Sequence, residues 1–342
     1  MSLCSFPDDQ SFVCQPSSRR AALRSRPSVP RLQAQHLIWP LFVQEGTGPA
    51  TPIASMPGCA RWTLDHLAIR AQEAAQAGLA GIALFPVVPD HLKDARGREG
   101  LNPDGLMSRA IRVAKASAPE LLVMSDVALD PYSSDGHDGV VIDGRIDNDE
   151  TLPLLAQMAV VQAQAGADLV APSDMMDGRI GVIRCALDQA GFPHVGICSY
   201  AVKFASSFYG PFRNALASTP RFGDKRTYQM DPANVREAIR EIRLDEAEGA
   251  DWIMVKPGLP YLDVVSVVRE KTVLPVAVYQ VSGEYAMLKA GAGTGAFEFE
   301  AVLLEALSAM RRAGADFIVS YGALEAARLL GRREHPPAHG KP

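Results

Sequence analysis

Residues 248–256 read EGADWIMVK and carry the pattern that decides the fold of this chain. Glycine is the usual residue just past a helix C-terminus, because it tolerates the left-handed conformation there. The apolar run that follows is typical of a buried strand. The same arrangement recurs at residues 77–82 (AGLAGI), 165–170 (AGADLV) and 313–318 (AGADFI). A helix that ends in glycine and leads directly into an apolar strand predicts a parallel sheet covered by helices.

Eight apolar stretches predict strands, near residues 37–43, 81–87, 121–126, 168–171, 195–200, 252–256, 274–279 and 316–320. Residues 64–77 and 104–117 predict the first helices. Eight strand–helix units indicate an α/β protein of the TIM (β/α)8 barrel type. A doubly wound open sheet is the alternative, but no glycine-rich phosphate loop follows the first strand.

Domain boundaries follow from changes in composition. Residues 1–34 are polar and arginine-rich and predict an extended N-terminal arm. Residues 35–331 predict the barrel, which is the catalytic domain, and residues 332–342 a polar tail.

Composition excludes several classes of protein. The net charge of −5 argues against a nucleic-acid partner, and no apolar run approaches the roughly 20 residues that cross a bilayer. The five cysteines form no CxxC pair, which favours a reducing cytoplasm and gives no zinc motif. The arginine and serine content of residues 17–24 leaves plastid targeting open, although Asp8 and Asp9 weaken that interpretation.

Two lysines at the ends of predicted strands point to the chemistry. Lys203 follows the strand near 195–200, and Lys256 ends the run WIMVK before Pro257-Gly258. A buried ammonium group responds by lowering its pKa, and a neutral lysine can attack a ketone to form a Schiff base. Two such lysines predict an enzyme that holds two carbonyl substrates. The alternatives are a surface lysine at position 256 and an ordinary helix-opening lysine at position 203.

In a barrel, functional residues cluster at the carboxyl ends of the strands. The polar residues at these predicted ends are Asp126, Ser173, Asp174, Lys203, Lys256, Gln280, Ser282, Ser320 and Tyr321.

Two longer segments accompany these strand ends. Residues 208–229 are aromatic and basic and predict a lid in which Arg213, with Lys225 or Arg226, clamps a carboxylate; a solvated loop is the alternative. Residues 126–139 hold four aspartates and a histidine, which suit Mg²⁺, the alternative being an Asx-turn loop with solvated charges.

Six motifs together resemble the porphobilinogen synthase (δ-aminolevulinic acid dehydratase) family: SDVALDPYSSDGHDG, APSDMMDGRIG, SYAVKFASSFYGPFR, TYQMDPAN, ADWIMVKPGLPYLD and VYQVSGEYAM. The resemblance runs from about residue 37 to 331. It implies a hydro-lyase that joins two 5-aminolevulinate molecules into porphobilinogen, an early step of tetrapyrrole biosynthesis. It also implies a TIM barrel and a homo-octamer, or a smaller oligomer, held by N-terminal arms.

The resemblance implies roles for the catalytic residues. Lys256 resembles the lysine that forms the principal Schiff base with the propionate-side substrate. Lys203 resembles the second lysine, which engages the acetate-side substrate. Asp126 matches an aspartate with an acid/base role.

The resemblance likewise implies the substrate pockets. Ser282 and Tyr321 match groups that bind the propionate-side carboxylate. The residues implied for the acetate side are Arg213, Lys225 and Gln229. Tyr209, in the aromatic motif, is also expected to bind substrate.

The chain departs from the family pattern at the metal positions. Zinc-dependent members carry three cysteines where this chain has Ala128, Asp130 and Asp138, so no catalytic zinc is expected. The resemblance is to the aspartate-rich subgroup, which is stimulated by magnesium or needs no metal, and Asp130 and Asp138 remain candidate ligands. Glu241 matches an allosteric Mg²⁺ position, with a plain surface glutamate as the alternative. No organic cofactor is expected.

Two further departures leave alternatives open. The lid reads Asp224-Lys225-Arg226, where arginine usually follows the aspartate directly, so either Lys225 or Arg226 binds the carboxylate. The connection from the arm to the barrel, residues 27–32 (PSVPRL), is also short for the family. The competing functions are a class I aldolase-like enzyme that uses only Lys256 and a weakly active family member with a binding role.

Overall fold

The computed structural model describes residues 31–216, 221 and 223–334. The strands are Leu37–Gln44 (β1), Thr51–Pro52 (β2), Ala60–Trp62 (β3), Gly81–Val87 (β4), Leu122–Val127 (β5), Val140–Ile142 (β6), Arg145–Asp147 (β7), Leu169–Pro172 (β8), Gly196–Lys203 (β9), Trp252–Lys256 (β10), Val276–Gln280 (β11) and Phe317–Ser320 (β12). The helices are Leu64–Gln76 (α1), Leu106–Ser117 (α2), Asn148–Ala165 (α3), Arg179–Gln189 (α4), Gly210–Leu216 (α5), Val235–Glu248 (α6), Leu262–Lys271 (α7), Ser282–Gly293 (α8), Phe299–Ala313 (α9) and Ala323–Glu334 (α10). Short 3-10 helices lie at Ala34–His36, Asp90–Leu92, Arg98–Leu101, Ser207–Tyr209 and Leu259–Tyr261.

Eight parallel strands close into a barrel. They run in the order β1-β4-β5-β8-β9-β10-β11-β12, and β12 returns to β1 with Leu37 opposite Ile318 and Ile38 opposite Val319. The TIM-barrel prediction is confirmed, and all eight predicted strands are present. The open doubly wound sheet is excluded because β1 and β12, which would be its edge strands, pair with each other.

The glycine and the aspartate of the recurring sequence pattern each have a structural role: the glycines end helices, and the aspartates bind neighbouring strands. Gly166, Gly249 and Gly314 end α3, α6 and α9 with φ of 104°, 103° and 129°, a region that side chains with a Cβ rarely adopt. The aspartates of the repeat then bind the neighbouring strand. Their carboxylates accept hydrogen bonds from the backbone N–H of the adjacent strand: Asp168 from Val123 (2.8 Å), Asp251 from Ile197 (2.8 Å) and Asp316 from Val276 (3.0 Å).

Alternation along each strand divides the apolar core into two layers. Side chains such as Ile38, Phe85 and Met254 fill the barrel interior, whereas Leu37, Leu84 and Val255 pack outward against the helices. Because strand residues alternate between faces, a polar residue at an inward position near a carboxyl end faces the barrel mouth. This rule places the site residues described below.

Two small hairpins extend the barrel. β2 and β3 pair antiparallel and join the barrel through β1, where Phe42 lies opposite Arg61. β6 and β7 form a separate hairpin after the aspartate-rich segment. Among the described residues, no helix is both long enough and apolar enough to span a bilayer.

Some predicted boundaries need correction. The strand predicted near 195–200 continues to Lys203, so this lysine is the last residue of β9 rather than a residue beyond it. The strand predicted at residues 121–126 is β5, Leu122–Val127, so Asp126 lies within the strand as predicted. The predicted tail of residues 332–342 begins inside α10, which ends at Glu334; the rest of it, like residues 1–30 of the predicted arm, lies outside the described residues.

Candidate active site

Lys256 lies in an aromatic box inside the barrel mouth. Its Nζ is 4.8 Å from the ring centre of Tyr279, 5.0 Å from Tyr200, 5.2 Å from Phe212 and 5.3 Å from Tyr209. Burial, and then the charge of Lys203, lower the pKa of Lys256 to about 7, against the opposing attraction of nearby aspartates. A large fraction of Lys256 is therefore the neutral amine near pH 7, the form that can act as a nucleophile.

Lys203 is the direct neighbour of Lys256 on the next strand. The two residues are paired in register between β9 and β10, and both side chains are buried. The Lys203 ammonium donates a hydrogen bond to the backbone carbonyl of Ser173 and lies 3.7 Å from a carboxylate oxygen of Asp138. The alternatives of a surface lysine at 256 and a helix-opening lysine at 203 are both wrong.

Three aspartates form a buried cluster beside Lys203. Burial and the neighbouring Asp130 raise the pKa of Asp126 to about 7, and its Oδ1 has no hydrogen-bond partner. Burial also raises the pKa of Asp130, although Lys225 opposes it. Burial works against ionisation of Asp138 too, but Lys203 and Lys225 outweigh it and hold the pKa of Asp138 below its usual range. The cluster thus contains one firmly ionised carboxylate and one that can exchange protons near neutrality.

Lys225, and not Arg226, is the basic lid residue that reaches the site. Its Nζ donates to Asp138 at 2.8 Å and to Asp130 at 3.2 Å. These two carboxylates outweigh burial and raise the pKa of Lys225. The Arg226 side chain is 79% exposed and lies 3.7 Å from Asp224.

A single cavity brings most of the predicted residues together. Its lining includes Asp126, Asp130, Asp138, Lys203, Tyr209, Arg213, Lys225, Gln229 and Lys256. Arg213 enters it from α5, at the start of the predicted lid, and Gln229 from the lid's far end. Part of the predicted lid is therefore helical rather than irregular.

Ser282 and Tyr321 lie beside this cavity rather than in its lining. The Ser282 hydroxyl donates to the Phe208 carbonyl (3.3 Å) and accepts from the Phe212 N–H (3.0 Å), which ties the start of α8 to the lid. The Tyr321 hydroxyl lies 3.1 Å from that of Tyr279, a wall of the aromatic box. Tyr209 donates to the carbonyls of Phe204 and Lys256, so it also supports the end of β10.

The predicted metal ligands differ in their surroundings. Asp130 and Asp138 are turned toward the ammonium group of Lys225, which already supplies the positive charge there. Glu241 lies apart from the lysines, in an open groove that Asp177 and Arg240 also line. Burial, with Asp245 and Asp177, raises the pKa of Glu241. Within residues 31–216, 221 and 223–334, no three His, Cys, Asp or Glu side chains group as a metal site.

Sequence reasoning missed the walls of the aromatic box and one buried glutamate. Tyr200 and Tyr279 occupy inward positions of β9 and β11, so alternation along the strand of Lys256 does not reach them, and the register shift between β9 and β10 also breaks simple alternation back from Lys203. Glu284 is fully buried near the ends of β10 and β11. Nothing in its sequence context separates it from an ordinary residue in the first turn of a helix.

A closed barrel with two buried lysines at the carboxyl ends of adjacent strands defines the class of this protein: it is a barrel enzyme equipped for amine attack on carbonyl groups. Comparisons with known proteins agree. The family described as Delta-aminolevulinic acid dehydratase matches residues 15–329. The chain belongs to the delta-aminolevulinic acid dehydratase family.

Individual relatives align over most of their length. The chloroplastic delta-aminolevulinic acid dehydratase of Pisum sativum is 55% identical over 314 residues, 91% of this chain and 79% of the pea protein. The chloroplastic enzyme of Chlamydomonas reinhardtii is 51% identical over 337 residues, covering 94% and 85%. The crystal structure of delta-aminolevulinic acid dehydratase (porphobilinogen synthase) from Toxoplasma gondii ME49, in complex with the reaction product porphobilinogen, superposes with a TM-score of 0.91. It is 48% identical and covers 96% of this chain and 95% of that chain.

Proposed function

We propose that this protein is a porphobilinogen synthase that condenses two 5-aminolevulinate molecules through Schiff bases on Lys256 and Lys203. The observation that carries the proposal is the in-register pair of buried lysines at the barrel mouth. An aldolase-like enzyme needs a single lysine, whereas two lysines in one cavity suit two ketone substrates.

The first step uses the neutral amine of Lys256. It attacks the ketone carbon of the propionate-side 5-aminolevulinate, and loss of water leaves an imine whose protonated form makes that carbon the electrophile for C–C bond formation. The nucleophile is the enamine that forms when the acetate-side substrate, held as an imine on Lys203 after loss of a second water, loses a proton from the carbon that will bear its acetate group. The aromatic box keeps water away from Lys256, which favours the neutral amine over the ammonium ion.

The second substrate is held beside Lys203. Arg213, Lys225 and Gln229 line the same cavity, and we propose that they bind its carboxylate. Ser282 and Tyr321 serve the carboxylate of the first substrate, which requires the Ser282 hydroxyl to exchange its bonds with the lid backbone for bonds to substrate. The enamine carbon attacks the imine carbon on Lys256 and forms the C–C bond. The free amine of the first substrate then attacks the imine carbon on Lys203 and expels that lysine, elimination expels Lys256, and loss of a ring proton gives the pyrrole.

Asp126 is the proposed proton carrier. Its pKa of about 7 lets it accept a proton from a substrate carbon and return it within one cycle. Its free Oδ1 leaves one carboxylate oxygen available for this exchange.

The residues of this chain determine which metal ions its candidate metal positions suit. A catalytic zinc held by thiolates does not fit, because aspartates replace the cysteines and Lys225 already faces both. Glu241 is the residue we propose to hold an allosteric Mg²⁺. Carboxylate oxygen suits this ion, and Mg²⁺ usually keeps several waters and so needs few protein ligands. When bound, the ion would supply positive charge in the groove outside the lid.

Assembly and location are proposed from the family relationship. A homo-octamer, or a smaller oligomer, built through residues 1–34 is the proposed assembly, and light scattering of the full chain and of a chain lacking residues 1–30 tests it. The pea and Chlamydomonas relatives are named chloroplastic, which favours a plastid over the cytoplasm. Fluorescent fusions with and without those residues test the location.

The deciding experiment is porphobilinogen formation from 5-aminolevulinate by EDTA-treated enzyme, with and without added Mg²⁺, beside Lys256→Met. We expect product with wild type only. Stimulation by Mg²⁺ that is lost in Glu241→Ala supports the proposed ion site. Full activity without metal removes that site from the proposal but leaves the reaction standing. Absence of product in every condition overturns the synthase and favours a binding role.

A further inference from the structure

Glu284 is a buried carboxylate that joins two active-site loops. It lies in the first turn of α8 and is fully buried. Its Oε2 accepts hydrogen bonds from the N–H groups of Val281 (2.7 Å) and Gly258 (3.2 Å), and its Oε1 accepts one from Leu259 (2.6 Å). Two of these donors belong to the loop after β10, and one belongs to the loop after β11.

The N–H donors lie close in sequence to two residues of the site, Lys256 and Ser282. Gly258 comes two residues after Lys256, and Val281 comes immediately before Ser282. A bond to Val281 alone is the ordinary cap of a helix N-terminus, in which a first-turn glutamate reaches back to the N-cap N–H. The bonds to Gly258 and Leu259 have no part in capping α8, so capping does not account for the whole arrangement.

The end of β10 is also held by groups other than Glu284. The Lys256 carbonyl accepts from the Phe204 N–H (3.0 Å) and from the Tyr209 hydroxyl (3.2 Å). The strand end that carries Lys256 is therefore held from β9 and the lid on one side and from Glu284 on the other. Burial raises the pKa of Glu284 to about 7, and the three backbone N–H groups oppose this rise.

We propose that Glu284 is a positioning residue that sets Lys256 and Ser282 at the correct separation for the first substrate, whose ketone and carboxylate they engage. The proposal rests on the function proposed above. Hydrogen bonds to an ionised or buried carboxylate are stronger than neutral ones, and misplacement of a reacting group by about 1 Å can cost on the order of a hundredfold in rate. Loss of Glu284 should therefore affect both the rate and the binding of substrate.

The test uses full-length Glu284→Gln and Glu284→Ala, with Asp147→Ala as the matched control. Asp147 caps α3 by accepting from the Glu150 N–H (2.9 Å) and contacts neither lysine. We expect Glu284→Ala to lower kcat by on the order of tenfold to a hundredfold and to raise KM. Glu284→Gln, which keeps an acceptor oxygen, should fall between it and wild type. Asp147→Ala should lower the melting temperature and leave kcat and KM unchanged.

A merely structural role gives a different result. Folded Glu284 variants that melt earlier but retain wild-type kcat and KM overturn the proposal. If Glu284→Ala does not fold, Glu284→Gln decides alone, by the same comparison of kcat and KM. If wild type makes no porphobilinogen, the synthase proposal fails separately. Glu284 is then judged by the rate at which borohydride traps the keto acid levulinate on Lys256; an unchanged rate overturns the positioning role.

Discussion

Lys256 and Lys203 are neighbours on adjacent strands, yet their surroundings differ in kind. Four aromatic rings enclose Lys256, whereas a carboxylate and a backbone carbonyl face Lys203. The aromatic side lowers the pKa of an amine by keeping water away, and the carboxylate side stabilises positive charge. One barrel mouth therefore offers two amines in different electrostatic surroundings. The lowered pKa of Lys256 suits attack on a carbonyl group, and the charge of Lys203 contributes to lowering it.

Removal of the attacking amine should have the largest effect. Lys256→Met should lower kcat by roughly 10⁴-fold or more, as expected when a nucleophile is lost. Porphobilinogen formation and borohydride trapping of labelled 5-aminolevulinate measure it. Lys271→Met, at an exposed helix end, is the control and should match wild type. Turnover within tenfold of wild type would mean that Lys256 is not the nucleophile.

Removal of the second amine should separate substrate trapping on Lys256 from porphobilinogen formation, two steps that Lys256→Met abolishes together. Lys203→Met should also lose porphobilinogen formation, by roughly 10³-fold, because the second ketone is no longer engaged. Trapping of one substrate on Lys256 should persist. If Lys203→Met still makes product at the wild-type rate, the aldolase-like use of Lys256 alone becomes the better description.

The carboxylate that faces Lys203 can be removed by substitution of Asp138. Asp138→Ala leaves Lys203 and Lys225 without their shared partner, and loss of one partner from a buried charge pair typically costs about 3–5 kcal/mol. Urea unfolding should show a loss of this order. Asp104→Ala, which breaks an exposed pair with Arg112, should show none that is measurable. Equal stability of the two variants would contradict the buried charge cluster.

The pH dependence of trapping tests the coupling between the lysines. Because Lys256 has a pKa near 7, the trapping rate should fall about tenfold per pH unit below pH 7 and level off above it. Lys203→Met removes a cation that lowers this pKa, so the midpoint should move to higher pH. A midpoint that stays in place, or moves to lower pH, would show that Lys203 does not influence Lys256.

The smallest effects are expected in the lid. Lys225→Arg should lower KM about threefold, because a guanidinium group can bind a carboxylate through two hydrogen bonds. Arg226→Ala should leave KM unchanged, since that side chain is exposed. Initial rates over a range of 5-aminolevulinate concentrations measure both. An unchanged KM in Lys225→Arg, or a raised KM in Arg226→Ala, would reverse the assignment of these two residues.

Much of the fold could be predicted because its signals are local. A glycine that ends a helix and a strand that is apolar on both faces are properties of a few consecutive residues, and all eight barrel strands were found from them. The sequence predicts that this strand ends near residue 200, whereas it continues to Lys203, which pairs with Lys256 of β10. The aspartates of the repeat looked like ordinary turn residues, since their partners lie on another strand.

The barrel, the two lysines and the family can all be recognised from the sequence, because periodicity and motif order are visible without coordinates. Which groups surround each lysine depends on the folded arrangement of distant segments. Closure of the barrel brings Tyr279 to Lys256, and folding of the lid brings Lys225, rather than Arg226, to Asp130 and Asp138. Glu284 is the clearest case, because its donors are 25 and 26 residues away in one loop and three residues away in another. The pKa of a buried group depends on such distant neighbours, and no window of sequence contains them.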